Sequence, residues 1–287
     1  MEQSLRVNPS PLVMMKKKMS DQLEYLIKKY DFINHNFGYV FELGVYISYI
    51  FKPKARPKEK FVIFGTGRSG STLLVSLLNS NSQVFCDNEI YHRKVLFPQL
   101  SRKARTRLGN KEVYGFKCLT YQVGKILGYA RDDQHLFLRK LTREGYKIIY
   151  LERENALRQG LSNLYARYRN QFHSNSTVMT RDLPKQMQVD LKELLDWVEG
   201  VQRAAARENQ MLEGIPHLKL FYERDLEDPA SHPQTLKKLS EYLKVDFEMP
   251  DTELQKVTPQ KLSDFVANHE EVESFIREKG YGHFLDN

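Results

Sequence analysis

Phe61-Val-Ile-Phe-Gly-Thr-Gly-Arg-Ser-Gly-Ser-Thr-Leu-Leu74 runs an apolar, β-prone stretch into a glycine-rich turn, and the turn into an apolar-periodic helix from Thr72 to Leu78. Strand, loop and helix in this order make a phosphate cradle. Glycines let the backbone wrap an anion, and the first N–H groups of the helix point at it. The turn supplies Thr66, Gly67, Arg68, Ser69, Gly70, Ser71 and Thr72 as the candidate binding residues.

The spacing of Gly65 and Gly70 is that of a Walker A loop, but the next residue is Ser71 and not Lys. A nucleotide triphosphatase sets that Lys against the β- and γ-phosphates. The only cation inside this loop is Arg68. The loop therefore suits a phosphate and suits a γ-phosphoryl group poorly.

Outward from the loop, strand-like and helix-like runs alternate. Strands are expected at Lys60–Gly65, Val84–Cys86, Val113–Cys118, Tyr146–Leu151 and His217–Tyr222. Helices are expected at Thr72–Asn79, Gln134–Arg143, Ala156–Tyr168, Lys185–Leu212 and Pro233–Leu243. Near-continuous apolar strands between helices predict an α/β fold with a central parallel sheet flanked by helices, a P-loop-like three-layer sandwich. Asn268 and Glu271 have the spacing of a capping box, and Gly280 would end the helix they start.

Residues 1 to 58 read as a helical N-terminal extension and 59 to 287 as the main domain. Lys52-Pro-Lys-Ala-Arg-Pro-Lys58 between them cannot be continuous helix. The stretch Phe37 to Phe51 is too short, and too interrupted by Glu42, to span a bilayer. It reads as a packed helix, or as a peripheral membrane or partner contact helped by the following lysines. Met14-Met15-Lys16-Lys17-Lys18 is basic, but no apolar segment of a secretory signal follows it.

The chain has 287 residues, 41% of them hydrophobic, so a sizeable core is expected and wholesale disorder is not. Lys and Arg exceed Asp and Glu to give a net charge of +8, with a pI near 9.2. That surplus fits anionic ligands, and it equally fits plain solubility. The two cysteines, Cys86 and Cys118, have no metal-type spacing and suit a reduced, cytoplasmic setting. No metal ligand set and no nucleic-acid motif stands out.

Three further segments fall after strand ends, where an open parallel sheet binds its ligands. Val84-Phe-Cys-Asp-Asn-Glu-Ile-Tyr-His92 carries Glu89 and His92. Tyr114-Gly-Phe-Lys-Cys118 places Lys117 in an apolar strand, which is costly unless its ammonium meets an anion or water. Tyr150-Leu-Glu-Arg-Glu-Asn155 ends a strand at Arg153 and leads to Arg158 and Ser162 on the next helix. Each also has an ordinary reading: Arg153 as an ion-pair partner, Glu89 as a solvated or Arg93-paired carboxylate, Lys117 as a snorkelling side chain, Tyr222 as core. Arg102 to Arg107 reads as a solvated face.

Together these segments resemble the sulfotransferases that use 3′-phosphoadenosine 5′-phosphosulfate (PAPS), in the flavour of the carbohydrate and bacterial enzymes. Arg68-Ser69-Gly70-Ser71-Thr72-Leu73-Leu74 is similar to their 5′-phosphate loop, with Gly67 where Pro is common. Arg153 and Ser162 are similar to their 3′-phosphate motif. Tyr222-Glu-Arg-Asp-Leu226 resembles a late segment whose Tyr lies by the adenine. The resemblance covers about residues 60 to 287. It implies sulfuryl transfer to a hydroxyl acceptor, a saccharide or glycolipid, with PAP as product. It implies Glu89 as general base, with Lys117 and Arg68 stabilising the leaving group. The catalytic Lys-Thr-His of the cytosolic enzymes is absent, because Cys118 and Leu119 follow Lys117. The alternatives are a P-loop kinase or NTPase, with Ile148-Ile-Tyr-Leu-Glu152 as its second strand, and a non-catalytic nucleotide-binding module. The segments expected to wall an acceptor site are Phe37–Phe51, Tyr91–Arg107 and Phe172–Arg181.

Overall fold

A computed structural model describes residues 42–47, 49, 57–93, 95–108, 111–169, 186–246 and 261–286. Most of the expected N-terminal extension, most of the basic linker and the segment 172–181 lie outside the described residues. The chain divides into two compact units, the smaller containing Val95–Leu108 and chain before residue 54, the larger containing the rest.

The larger unit is built on five strands: β1 (Glu59–Gly65), β2 (Val84–Glu89), β3 (Val113–Leu119), β4 (Tyr146–Glu152) and β5 (His217–Phe221). Their order is β2-β3-β1-β4-β5, and every pairing is parallel. The chain runs from β1 to one side of the sheet and returns to β1's other side at β4. The crevice where the order reverses therefore opens at the carboxyl end of β1, where the glycine-rich loop begins.

Burial explains the strand sequences. All of β3 and Phe61 to Gly65 of β1 are buried, as central strands covered on both faces must be. Phe61, Ile63, Ile149, Leu151 and Leu220 form one face with α1 (Ser71–Asn79) and a later helix, His232–Leu243. The opposite face is aromatic: Tyr91 packs edge-on against Phe116 and Phe137, and Phe116 against Tyr146. On the first face, Gly115 leaves room for Phe61, because a Cβ would sit 2.0 Å from its ring.

The smaller unit holds α2 (Pro98–Arg105) and helical residues 42–47. The expected solvated face at Arg102–Arg107 is corrected here: Arg102 is 2% exposed and Arg105 8%. Arg105 pairs with Glu42, and the Arg107 guanidinium lies 3.8 Å from the centre of the Tyr49 ring. Glu42, an interruption in an apolar stretch, is thus the partner of a buried arginine.

In the larger unit, β3 is followed by α3 (Thr120–Lys125), a turn of helix not expected from its mixed composition. Then come α4 (Gln134–Arg143), α5 (Ala156–Tyr168), α6 (Leu191–Leu212), α7 (His232–Leu243) and α8 (His269–Glu278). α6 starts later than expected, because the Asp190 side chain accepts from the Glu193 N–H and caps it there. The expected capping box at Asn268 is not formed. The Asn268 Oδ1 accepts instead from the Val189 N–H at 2.9 Å, tying α8 to the segment before α6. Gly280 does end α8, at φ 83°.

Candidate functional site

The loop after β1 is shaped by backbone conformation. Arg68 (φ 64°) and Gly70 (φ 85°) both sit in the left-handed region, costly for Arg68 and open to Gly70. Alternation of this kind turns successive N–H groups toward one point. No side chain caps the N-terminus of α1, and its first turn holds no acidic residue. Ser69 donates to the Thr66 carbonyl at 2.9 Å and closes the loop on itself. Gly70 is also a contact: a Cβ would lie 2.2 Å from the Tyr222 ring.

α5 holds the loop from the side. Asn155 caps α5 by accepting from the Arg158 N–H at 2.9 Å. One turn on, Gln159 Nε2 donates to Thr66 Oγ1 at 2.8 Å and to the Gly67 carbonyl at 2.7 Å. Three residues further along the same helix face, Ser162 Oγ accepts from Arg68 Nε at 3.2 Å and Nη2 at 3.0 Å. Arg153, at the end of β4, donates from Nη1 to the Arg68 carbonyl at 3.2 Å. Arg68, Arg153 and Ser162, distant in sequence, meet at one point.

Arg153 is held by two residues of the segment after β5. Its guanidinium lies 4.7 Å from the centre of the Tyr222 ring, and Glu223 Oε1 stands 3.5 Å from its Nε. Glu223 also accepts from the N–H groups of Glu154 and Asn155, fixing the start of α5. Tyr222 is 8% exposed, so one ring face is already taken by Arg153 and its edge by Gly70.

Electrostatics mark this point as a place for an anion. Burial lowers the proton affinity of Arg68, Arg153 and Arg158. The Arg153 charge lowers it further for the other two, while Glu223 and Glu227 offset part of the effect. The buried Arg153 Nε has no hydrogen-bond partner among the described residues. Cations crowded and desolvated in this way, with Glu223 and Glu227 offsetting only part of the effect, favour a further negative charge beside them.

The second half of the site lies on the β3 side of the loop. β2 bulges at Asn88: Asp87 pairs with Phe116, and Glu89 with Lys117. Without the extra residue, Asp87 and Glu89 would face the same way, and the bulge re-aims Glu89 toward Lys117. Lys117 Nζ is 3.1 Å from Glu89 Oε1 and 3.4 Å from Thr72 Oγ1 in the first turn of α1. Lys117 is 6% exposed, so it does not snorkel to solvent. Gln122 Nε2 donates to Glu89 Oε2 at 2.7 Å. His92 Nδ1 donates to the Glu89 backbone carbonyl at 2.7 Å, an exposed loop contact away from the carboxylate.

Arg68, Thr72, Glu89, Lys117, Arg153, Ser162 and Tyr222 thus lie around one loop. Gln122, Gln159 and Glu223 join them unannounced. Gln159 carried a readable signal, one helical turn before Ser162 on the same face. Glu152, the carboxylate expected of a kinase's second strand, turns toward the β5 edge and pairs with Lys219 at 2.8 Å. Among the described residues there is no cluster of three or more His, Cys, Asp or Glu suited to a metal, and no helix long and apolar enough to cross a membrane.

No family model and no curated protein matches this sequence. Among solved structures, it is similar to mouse sulfotransferase SULT7A1 complexed with PAP, at 15% identity and a TM-score of 0.40. That match takes in 68% of this chain and 61% of the mouse chain. It is also similar to sulfotransferase STF9 from Mycobacterium avium, at 11% identity and a TM-score of 0.38, over 81% of this chain and 78% of that one.

Proposed function

We propose that this chain transfers a sulfuryl group from PAPS to a hydroxyl of an acceptor, a saccharide or glycolipid. The observation that carries the proposal is the meeting of Arg68, Arg153 and Ser162 beside a phosphate-type loop, with Glu89 and Lys117 on the loop's other side. The PAPS donor supplies the sulfuryl group and, as PAP, the leaving group. The residues present suit it. Arg68, Arg153 and Ser162 offer charge-assisted and hydroxyl hydrogen bonds to phosphate, and the loop N–H groups and the α1 N-terminus offer more.

The chain's own residues divide the remaining work. Glu89 takes the proton of the acceptor hydroxyl as its oxygen bonds to sulfur. As the bond from sulfur to the 5′-phosphate oxygen breaks, Lys117 and Arg68 stabilise the negative charge left on that oxygen. Lys117 touches both Glu89 and Thr72, and so links the base to the loop. Gln159 and Ser162 hold the loop in place through α5, so the cradle is formed before ligand arrives.

A reduced, cytoplasmic setting fits Cys86 and Cys118, both buried and outside any disulfide. Burial raises the Cys86 thiol's pKa well above its usual value, so it stays protonated and unreactive. The domain reading, with 59–287 as the catalytic domain, is part of the same proposal. The test is PAPS-dependent sulfation of a panel of hydroxyl acceptors. Protection by PAP without turnover would identify a binding module, and stronger protection by magnesium-ATP would identify a kinase-like site.

A further inference from the structure

We infer that Gln122 is the positioning residue that aims the Glu89 carboxylate. This rests on the reading of Glu89 as the base. Gln122 is the third residue of α3 and is fully buried. Its Oε1 accepts from the Leu119 backbone N–H at 3.0 Å, at the point where β3 ends. That contact fixes the amide's orientation, since a flipped amide would set its NH₂ against an N–H and its oxygen against a carboxylate. Nε2 must therefore face Glu89, and it donates to Oε2 at 2.7 Å. It also reaches the Tyr121 hydroxyl at 3.4 Å, at the solvent side.

Glu89 is thus gripped from two sides of one strand end. Lys117, on β3, meets Oε1 at 3.1 Å, and Gln122, three residues past that strand's end, meets Oε2. The bulge at Asn88 delivers the carboxylate between them. Two donors on one carboxylate hold its rotamer against the entropy of a surface side chain. The grip also divides labour: the Lys117 ammonium serves the loop as well as Glu89, whereas the Gln122 amide bonds to no loop residue. Gln122 can therefore be altered without touching the anion cradle.

The experiment is the pH dependence of kcat/KM in the wild type, Gln122→Met, Gln122→Glu, Tyr121→Phe and Glu89→Gln, with PAP affinity measured for each. Gln122→Met removes the donor and keeps the volume. Its acid limb should move up by about one pH unit, and kcat should fall roughly ten- to hundredfold, with PAP affinity unchanged. Gln122→Glu is nearly isosteric and decides the matter if the Met variant does not fold. It places two carboxyls on one proton, so its acid limb should move up further. Tyr121→Phe should match the wild type. An acid limb that disappears in Glu89→Gln but does not move in either Gln122 variant overturns the role of Gln122 alone. An acid limb that persists in Glu89→Gln overturns Glu89 as base, and the role of Gln122 with it.

Discussion

Arg68 donates two hydrogen bonds to the hydroxyl of Ser162, from Nε at 3.2 Å and from Nη2 at 3.0 Å. The sequence places one residue in the glycine-rich loop and the other on the helix after β4. In the folded chain they are a single group, with Arg153 bonded to the Arg68 carbonyl behind them. Elements that the family resemblance assigns to separate phosphates are mechanically joined.

Affinity for PAP should reflect that joining. Arg68→Ala, Arg153→Ala and Ser162→Ala should each weaken PAP binding by ~1.5–3 kcal/mol, the worth of a charge-assisted hydrogen bond. The Arg68→Ala, Ser162→Ala double variant should lose less than the sum of its single losses, because the two residues share one contact. Calorimetric titration measures both. Additive losses would mean that the two act independently.

Gly70→Ala should be among the most damaging single changes. It puts a Cβ at 2.2 Å from the Tyr222 ring, in a backbone conformation with φ 85°. The strain alone costs on the order of 1–3 kcal/mol. Displacing Tyr222 also frees the guanidinium of Arg153 that it covers. Thermal denaturation and PAP titration of Gly70→Ala should both worsen. Tyr222→Leu should keep stability better but still weaken PAP binding.

Chemistry and binding should separate at Glu89. Glu89→Gln should lower turnover by ~10²–10⁴-fold, the usual loss for a general base, and leave PAP affinity nearly unchanged. His92→Ala should cost little, since His92 bonds a backbone carbonyl. Single-turnover rates of the two variants decide which residue is the base.

Stability should depend on pH through Glu208, which lies on α6 beneath β4 and is 1% exposed. Burial is the main cause that pushes its carboxyl from 4.5 up to about 7. Glu152 adds to the rise, and Thr120, Tyr150 and Arg207 offset part of it. The folded state then holds a proton that the unfolded state has lost. Stability is full below about pH 4.5, falls as pH rises toward 7, and levels off above. Glu208→Gln should therefore raise the melting temperature at pH 8 more than at pH 5. Equal shifts at both would mean that Glu208 titrates normally.

Much of this was legible, because the sheet obeys simple rules. Apolar runs such as Ile148-Ile-Tyr-Leu151 between turn signals read as buried strands, and the glycine-rich break after Phe61–Phe64 reads as a loop that opens into a helix. The helices Gln134–Arg143 and Ala156–Tyr168 begin and end as their patterns indicate. What the sequence hid depends on partners distant in the chain. Arg102 and Arg105 look solvated until Glu42 and the interior of the smaller unit are seen. Asn268 looks like a cap until Val189 takes its oxygen. Glu89 faces Lys117 only because Asn88 bulges, and no local pattern in β2 announces a bulge. Polar residues such as Gln122 are read as surface by default, and only their burial shows that they hold something.

The most direct measurement is transfer of sulfate from PAPS labelled in its sulfuryl group to a panel of hydroxyl acceptors, in the presence of EDTA. The label should appear on at least one saccharide or glycolipid, with release of PAP, and Glu89→Gln should abolish that transfer. If no acceptor is labelled, and magnesium-ATP protects the protein against heat better than PAP does, the chain is not a sulfotransferase.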